Sequence, residues 1–260
     1  MNKRGQITIF VIAGIVIVAA ILLLIFLRGQ LFVVVTPENL PDQLFPIRDH
    51  VQDCIKDIAP DYIERIGLQG GYLSTSEGTY RLTSGIPISY LCYNVGKSPL
   101  CYNRMLTLSH METELSKAIA EGLQTCLDIR RFERGFSMTI GSLSVETSIG
   151  QDTVAITANL PITLTKDTAS VSEDEFSESF EFPLGRLYDV SQDIVDIETV
   201  YGEFDQLNYM LSKRGQYVIE KQRPYPDKLY ILQHKDSQYI FQFHVQGETL
   251  WSGKHFYKFF

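Results

Sequence analysis

Four cysteines have the chemistry that is easiest to define in this chain: Cys54, Cys92, Cys101 and Cys126. Their number is even, and no two of them form the C-x-x-C pair that is typical of zinc sites and thioredoxin-like redox motifs. If the chain is exported to an oxidising compartment, two disulfides are therefore expected. Four reduced cysteines in the core are the alternative.

The surroundings of each cysteine predict how they pair. Cys92 and Cys101 flank residues 94–99, Asn-Val-Gly-Lys-Ser-Pro, whose turn-forming residues allow a bridge to close a small hairpin loop. Cys54 and Cys126 each lie on the apolar face of a predicted helix. A bridge between them would join the two helices if those faces pack together. Our preferred connectivity is Cys92–Cys101 with Cys54–Cys126.

No other group of residues carries the signature of a catalytic, metal-binding or cofactor-binding site. The sequence contains neither the H-E-x-x-H zinc pair nor the G-x-S-x-G nucleophile elbow, and the glycines of residues 67–71 lack phosphate-loop spacing. His110 and Glu112 form H-x-E without the second motif of zinc deaminases. His234 and His244 could approach each other across a hairpin. We therefore predict no catalytic residue, no metal ligand and no cofactor, and a hydrolase assembled only by the fold is the least favoured alternative.

The charge of the chain argues against nucleic acid as a partner. Over 260 residues the net charge is −8, and no cluster of Lys and Arg occurs beyond the N-terminus. Contacts with phosphates need such clusters. The carboxylate pairs Glu112/Glu114 and Asp193/Asp196 are interpreted as solvated charge on helices, and the acidic residues 172–175 as a solvated turn.

The spacing of apolar residues predicts an α+β head. Stripes three and four residues apart indicate helices over 47–66, 104–131 and 185–209. Alternating apolar residues indicate strands over 143–164, 175–184 and in a hairpin over 229–245. We expect helices packed on a mainly antiparallel sheet, with a mainly helical part over 47–135 and a β-rich part over 136–260 that contains one long helix.

The N-terminal segment predicts attachment to a membrane. Residues 7–27 contain no charge, and Thr8 is their only polar side chain. A bilayer core needs roughly 20 apolar residues in a helix. We therefore predict a cytoplasmic leader over 1–6, a transmembrane helix over 7–27 and a linker over 28–46, with the lipid bilayer as a partner.

The orientation of this predicted anchor follows from the basic residues beside it. Lys3 and Arg4 precede the apolar run, and only Arg28 follows it closely. Positive residues stay on the cytoplasmic side of a membrane. The N-terminus is therefore expected in the cytoplasm, and residues 36–260 are expected to be extracytoplasmic.

The run Lys3-Arg4-Gly5-Gln6, followed by the apolar segment, resembles the class III signal of archaeal type IV pilins and related surface proteins. The resemblance is confined to the N-terminal region. It implies that a prepilin peptidase cuts between Gly5 and Gln6 and that other pilin-like subunits are partners. The function implied is a structural or adhesive role at the cell surface.

Two features favour a membrane-tethered ligand-binding or sensing module as the alternative. Phe10 stands where many pilins carry a glutamate that helps to register subunits. Pro37, Pro41 and Pro46 follow the apolar segment, and prolines at this density stop a helix. A continuous rod from the apolar segment into the head is therefore not expected.

Overall fold

The computed structural model describes residues 16–19, 21–23, 39–74, 79–94 and 100–247. Its α-helices over 39–247 are α1 (Phe45–Leu68), α2 (Leu108–Cys126), α3 (Leu184–Tyr201) and α4 (Gln206–Ser212), and 3₁₀ turns lie at Pro41–Gln43 and Ile129–Phe132. The strands are β1 (Tyr80–Thr83), β2 (Ile86–Tyr93), β3 (Tyr102–Asn103), β4 (Ser137–Ile140), β5 (Ser144–Ile149), β6 (Thr153–Lys166), β7 (Ala169–Glu181), β8 (Tyr217–Gln222), β9 (Lys228–His234) and β10 (Ile240–Val245).

The predicted transmembrane helix over 7–27 is not upheld. Among the residues that the structure describes, no helix is both long enough and apolar enough to cross a membrane. Of residues 7–27, only 16–19 and 21–23 are described. The predicted leader over 1–6, including Gly5 and Gln6, lies outside the described residues.

Helix α1 packs between the two sheets of the head. Its buried side chains recur every three or four residues, as the apolar stripe predicts. The helix continues through Pro60 to Leu68. It ends where Gly70 and Gly71 adopt positive φ angles of 73° and 88°, a conformation that glycine reaches without strain.

The strands form two sheets, and the sheets are mainly antiparallel as predicted. Sheet I has the order β1-β2-β10-β9-β8, with β3 beside β2, and its β2–β10 pair is parallel. In sheet II the long strand β6 pairs with β7 along one edge and with β5 and β4 in succession along the other. Helix α2 packs against β5, α1 contacts both β7 and β10, and α3 covers β9 and β10. One continuous apolar core joins these layers.

Two local predictions differ from the structure. Residues 172–175 lie within β7 and not in a turn, because Glu173 turns inward to form an ion pair with Arg48 at 2.6 Å while its neighbours face solvent. The long helix predicted over 185–209 is divided into α3 and α4. Gly202 ends α3 with a positive φ of 72°, and the Asp205 side chain caps α4 by accepting the Asn208 N–H.

Both predicted disulfides are present. Cys54–Cys126 joins α1 to α2 with the Cα atoms 5.9 Å apart, and Cys92–Cys101 closes the β2–β3 hairpin with the Cα atoms 5.2 Å apart. These separations lie in the usual range for disulfides. The preferred connectivity is confirmed, and the alternative of four reduced cysteines is wrong.

Candidate functional site

The histidines and acidic pairs considered above as candidate site residues do not lie together in one site. His244 pairs with Leu229 in the β9–β10 register, whereas His234 lies beyond the paired residues at the other end of the hairpin. Within the described ranges, no group of three or more His, Cys, Asp and Glu side chains is arranged to hold a metal ion.

The acidic pairs on α2 and α3 support the fold. On α2, Glu112 accepts the Ile149 N–H at 2.8 Å and Glu114 accepts the Leu73 N–H at 2.9 Å. On α3, the Asp193 side chain accepts from Tyr209 at 2.6 Å, and the Asp196 side chain accepts from Asn103 at 3.2 Å. These carboxylates dock loops and neighbouring elements onto their helices and are therefore more than solvated charge.

A cleft of about 770 Å³ lies where the ends of the two sheets approach each other, and we name it the inter-sheet cleft. Helix α1 contributes Pro60 and Ile63, the turn between β5 and β6 contributes Asp152, and the start of β6 contributes Thr153. The end of β7 and the residues after it form a second wall, and the turn between β9 and β10 forms the third. Four separate segments of the chain therefore build this site.

The wall formed by the β5–β6 turn is fixed against the start of α3. Arg186 makes two hydrogen bonds to the Asp152 carboxylate, one of them 2.6 Å long between Nη2 and Oδ2. This guanidinium lowers the pKa of Asp152 below its usual range. Gly185 donates its N–H to the Gly150 carbonyl at 3.2 Å, and a Cβ at Gly185 would lie only 2.4 Å from that oxygen. The close approach of turn and helix therefore requires glycine at this position.

The opposite wall is held by aromatic packing. The Phe182 and Tyr239 rings stack with their centroids 4.0 Å apart, which joins the segment after β7 to the β9–β10 turn. Phe182 is only 2% exposed, while Tyr239 and Phe180 are half-buried at the cleft. The turn is further fixed because Ser237 Oγ accepts the Tyr239 N–H at 3.1 Å. The apolar wall is therefore preformed.

The rim of the inter-sheet cleft is acidic. Glu181 and Asp236 are exposed at its edge, and among the described residues neither forms an ion pair. None of the lining residues is Lys or Arg, and His234 packs edge-on against the Tyr217 ring at 5.6 Å. Eight of the fourteen residues that line the cleft are polar, so its apolar wall stands in a largely polar surround.

No protein-family model, curated protein or solved structure matches this chain. The inter-sheet cleft is therefore interpreted from its own chemistry. Sequence reasoning missed it because its residues come from positions 60 to 239 and share no local motif. The alternating Phe180 and Phe182 were recognised only as strand residues with a buried face.

A second polar cluster lies on sheet I, around Asp227. The Asp227 carboxylate accepts hydrogen bonds from Arg81 and from the Tyr90 hydroxyl, both at 2.7 Å, and burial raises the pKa of Tyr90. Nearby, Thr83 Oγ1 lies 3.0 Å from His244 Nε2. A hydroxyl beside an imidazole is the geometry of a nucleophile and its base. His244 is 0% exposed, however, so this pair is enclosed within the sheet and supports the fold.

Burial of His244 predicts a pH dependence of stability. Burial lowers the pKa of His244 below its usual 6.5, outweighing the opposing effects of the Lys228 carbonyl and Asp227, while Arg81 lowers it further. The unfolded chain therefore binds a proton at this histidine more readily than the folded chain does. The contribution of His244 to the free energy of unfolding is present in full above pH 6.5 and is lost as the pH falls through the folded pKa.

This prediction is tested by urea unfolding of the wild type and His244→Gln between pH 7.5 and 4.5. The wild type is expected to lose more free energy of unfolding than the variant as the pH falls. His50, whose pKa is also lowered by burial, is present in both proteins and its contribution cancels. Parallel stability profiles would contradict the prediction.

Proposed function

We propose that this protein is an extracytoplasmic binding protein with an adhesive role and that it holds its ligand in the inter-sheet cleft. The observation that carries the proposal is the cleft itself, with its stacked Phe182–Tyr239 wall and its acidic rim. Its volume of about 770 Å³ falls within the range that small-ligand sites occupy. The walls are fixed by hydrogen bonds, so a ligand would bind without a large ordering cost.

The two disulfides support an extracytoplasmic location. Disulfides persist in oxidising compartments and are rare where thiol reductants are maintained. The resemblance of Lys3-Arg4-Gly5-Gln6 to the pilin signal supports a role at the cell surface among other pilin-like proteins. An adhesive function accounts for the extracytoplasmic location, for the resemblance to the pilin signal and for the preformed cleft. A purely structural subunit would not need the cleft.

Filling the cleft is expected to abolish binding of any ligand that enters it. Gln238 lines the cleft from an exposed position in the turn between β9 and β10, so Gln238→Trp adds bulk there without disturbing the core. The test applies the full-length, disulfide-bonded protein to peptide and oligosaccharide arrays. We expect the variant to lose at least about tenfold in affinity for each ligand that the wild type binds.

Gln216→Trp is the matched control for this experiment. Gln216, just before β8, is exposed like Gln238, and both substitutions replace a glutamine by tryptophan. Gln216 does not line the cleft and its substitution should leave binding unchanged. Equal loss in the two variants, or full binding by Gln238→Trp, would contradict the proposal.

A further inference from the structure

We infer that the Cys54–Cys126 bridge is a thiol–disulfide exchange site: an external thiolate binds covalently to Cys126, and Cys54 leaves as a thiolate held by His50. The partner is a thiol, which comes either from a small molecule or from the reactive cysteine of a redox protein. The inference goes beyond the proposed binding function and uses no residue of the inter-sheet cleft. It rests on the contacts around the bridge and on the different exposure of its two cysteines.

The His50 ring lies beside the bridge because of its position on α1. His50 and Cys54 are four residues apart, which places them on the same face of the helix. The Nε2 atom of His50 lies 3.9 Å from Cys54 Sγ, and the ring also interacts with the backbone of Cys126. On its other side, His50 Nδ1 lies 2.9 Å from Arg131 Nη2, which the 3₁₀ turn after α2 brings beside α1. His50 therefore contacts both halves of the bridge.

These contacts assign the proton of the His50 ring. Burial, followed by the charge of Arg131, lowers the pKa of His50. The opposing effects of the Asp128 and Asp53 carboxylates do not reverse this shift, so the ring is neutral at pH 7. Arginine has only donors, so it donates to Nδ1, and the single proton of the neutral ring is on Nε2. The group beside Cys54 Sγ is therefore an N–H donor.

The two cysteines of the bridge are not equivalent. Cys54 is 1% exposed, whereas Cys126, at the end of α2, is partly exposed and is the one that an external thiolate reaches more readily. Burial alone would disfavour a thiolate at Cys54. The Nε2–H of His50 compensates more strongly as the bond breaks, because a disulfide sulfur is a weak acceptor and a thiolate is a strong one. A stabilised thiolate is also the better leaving group.

The exchange proceeds in two steps. In the first, the external sulfur forms a bond to Cys126 Sγ and the Cys54–Cys126 bond breaks, with its electron pair going to Cys54 Sγ. This step involves no net oxidation, because one disulfide is exchanged for another. In the second, another external thiolate attacks the external sulfur of the mixed disulfide and releases the Cys126 thiolate. Two external thiols are thereby oxidised to a disulfide, and the protein is reduced by two electrons.

Trapping of the mixed disulfide in the full-length, disulfide-bonded protein tests this assignment. The probes are glutathione and a thioredoxin whose second active-site cysteine is replaced by serine, and free thiols are blocked with N-ethylmaleimide before peptide mass spectrometry. We expect the probe on Cys126 and the maleimide on Cys54. Reaction with glutathione identifies a small thiol as the partner, and reaction with the thioredoxin variant alone identifies a redox protein. A probe on Cys54, or on neither cysteine, would overturn the inference.

Loss of the His50 N–H is expected to slow the reaction of Cys126 with the probe by at least about tenfold, because donors to a developing anion have effects of this size or larger. His50→Phe removes the donor and keeps a ring beside Phe132, whose centroid lies 5.5 Å from that of His50. His110→Phe is the matched control, since His110 is exposed near the start of α2, and its rate should equal that of the wild type. Equal slowing in the two variants would contradict the assigned role of His50.

Arg131 acts as a positioning residue for the His50 ring and has its own pair of variants. Arg131→Met should slow the exchange, whereas Arg130→Met, at the neighbouring exposed position of the same turn, should not. In Cys126→Ala the free thiol is Cys54, and its pKa, measured by thiolate absorbance, should rise when His50→Phe is added. A contact that only supported the fold would not change this pKa. An unchanged pKa of Cys54, or equal rates in the two arginine variants, would show that the inference is wrong.

Discussion

Replacing Glu198 by alanine is expected to lower the free energy of unfolding by about 3–5 kcal/mol. Glu198 lies on α3 with its side chain only 1% exposed, and it forms a 2.7 Å ion pair with Lys228, which is 9% exposed. Removal of the carboxylate leaves an ammonium group in a buried site. Among the described residues its remaining ion-pair partner is then the half-exposed Glu203, 3.2 Å away, and a poorly compensated buried charge is strongly destabilising.

The contacts around this pair explain why it is tolerated in the wild type. Glu198 Oε1 accepts the Phe204 N–H at 3.2 Å and also accepts from the Tyr230 hydroxyl. Lys228 donates to the Gly202 carbonyl, and its Nζ lies 3.2 Å from Glu203 Oε2. Every proton of the ammonium therefore has an acceptor, which offsets the desolvation of both groups.

The same network fixes two protonation states. Burial raises the pKa of Tyr230, as does the neighbouring Glu198, so the phenol remains a hydrogen-bond donor. Burial alone would raise the pKa of Glu203, but hydrogen bonds and charge from Lys221 and Lys228 outweigh it and the pKa lies below its usual range. The network thus ties the end of α3 to β8 and β9 at neutral pH.

Urea unfolding of the disulfide-bonded protein at pH 7 measures the loss. Glu220→Ala is the control, since this glutamate is exposed on β8 and its removal should change the free energy of unfolding by less than about 0.5 kcal/mol. The double variant Glu198→Leu/Lys228→Met should be more stable than Glu198→Ala, because it leaves no unpaired charge. If Glu198→Ala lowers the free energy of unfolding by less than about 1 kcal/mol, Glu203 alone is enough to compensate the charge of Lys228, and the prediction is wrong.

Removal of the Cys54–Cys126 bridge, by alanine at both positions, is expected to lower the free energy of unfolding by about 4 kcal/mol. The bridge spans 72 residues, so it removes many conformations from the unfolded chain. It also joins α1 to α2. The Cys54 side chain is buried, and alanine leaves little additional space there.

The Cys92–Cys101 bridge provides an internal comparison. It spans only 9 residues, and the same entropy relation gives a smaller loss of about 3 kcal/mol for its removal. Both double variants are compared with the wild type by chemical unfolding without reductant. A larger loss for the short loop than for the long one would contradict the entropic argument and point to native contacts within the hairpin.

The sequence by itself determined those features that depend on residues close together in the chain. The three- and four-residue spacing from Ile47 to Ile66 predicted α1, and the same kind of spacing predicted α2. Because Cys54 and Cys126 lie on those stripes, packing of the stripes was enough to predict their bridge. Alternation predicted β5, β6 and the β9–β10 hairpin for the same reason, since side-chain direction in a strand repeats every two residues.

Local patterns were misleading where a distant partner changes the environment of a residue. Four acidic or polar residues at 172–175 indicate a turn when only neighbours are considered, but Arg48, 125 positions earlier than Glu173, allows that carboxylate to turn inward within β7. Lysine is usually found at the surface, and Lys228 is buried because Glu198 and Glu203 lie beside it.

Only the tertiary structure decided where a ligand could bind. Asp152, Phe180, Asp236 and Tyr239 belong to separate turns and strand ends, and no spacing between them along the chain has a meaning of its own. They form the inter-sheet cleft because α1, α3 and the stacked Phe182–Tyr239 pair bring two sheets together at one end. Elements form from local periodicity, whereas a site of this kind exists only once those elements are packed.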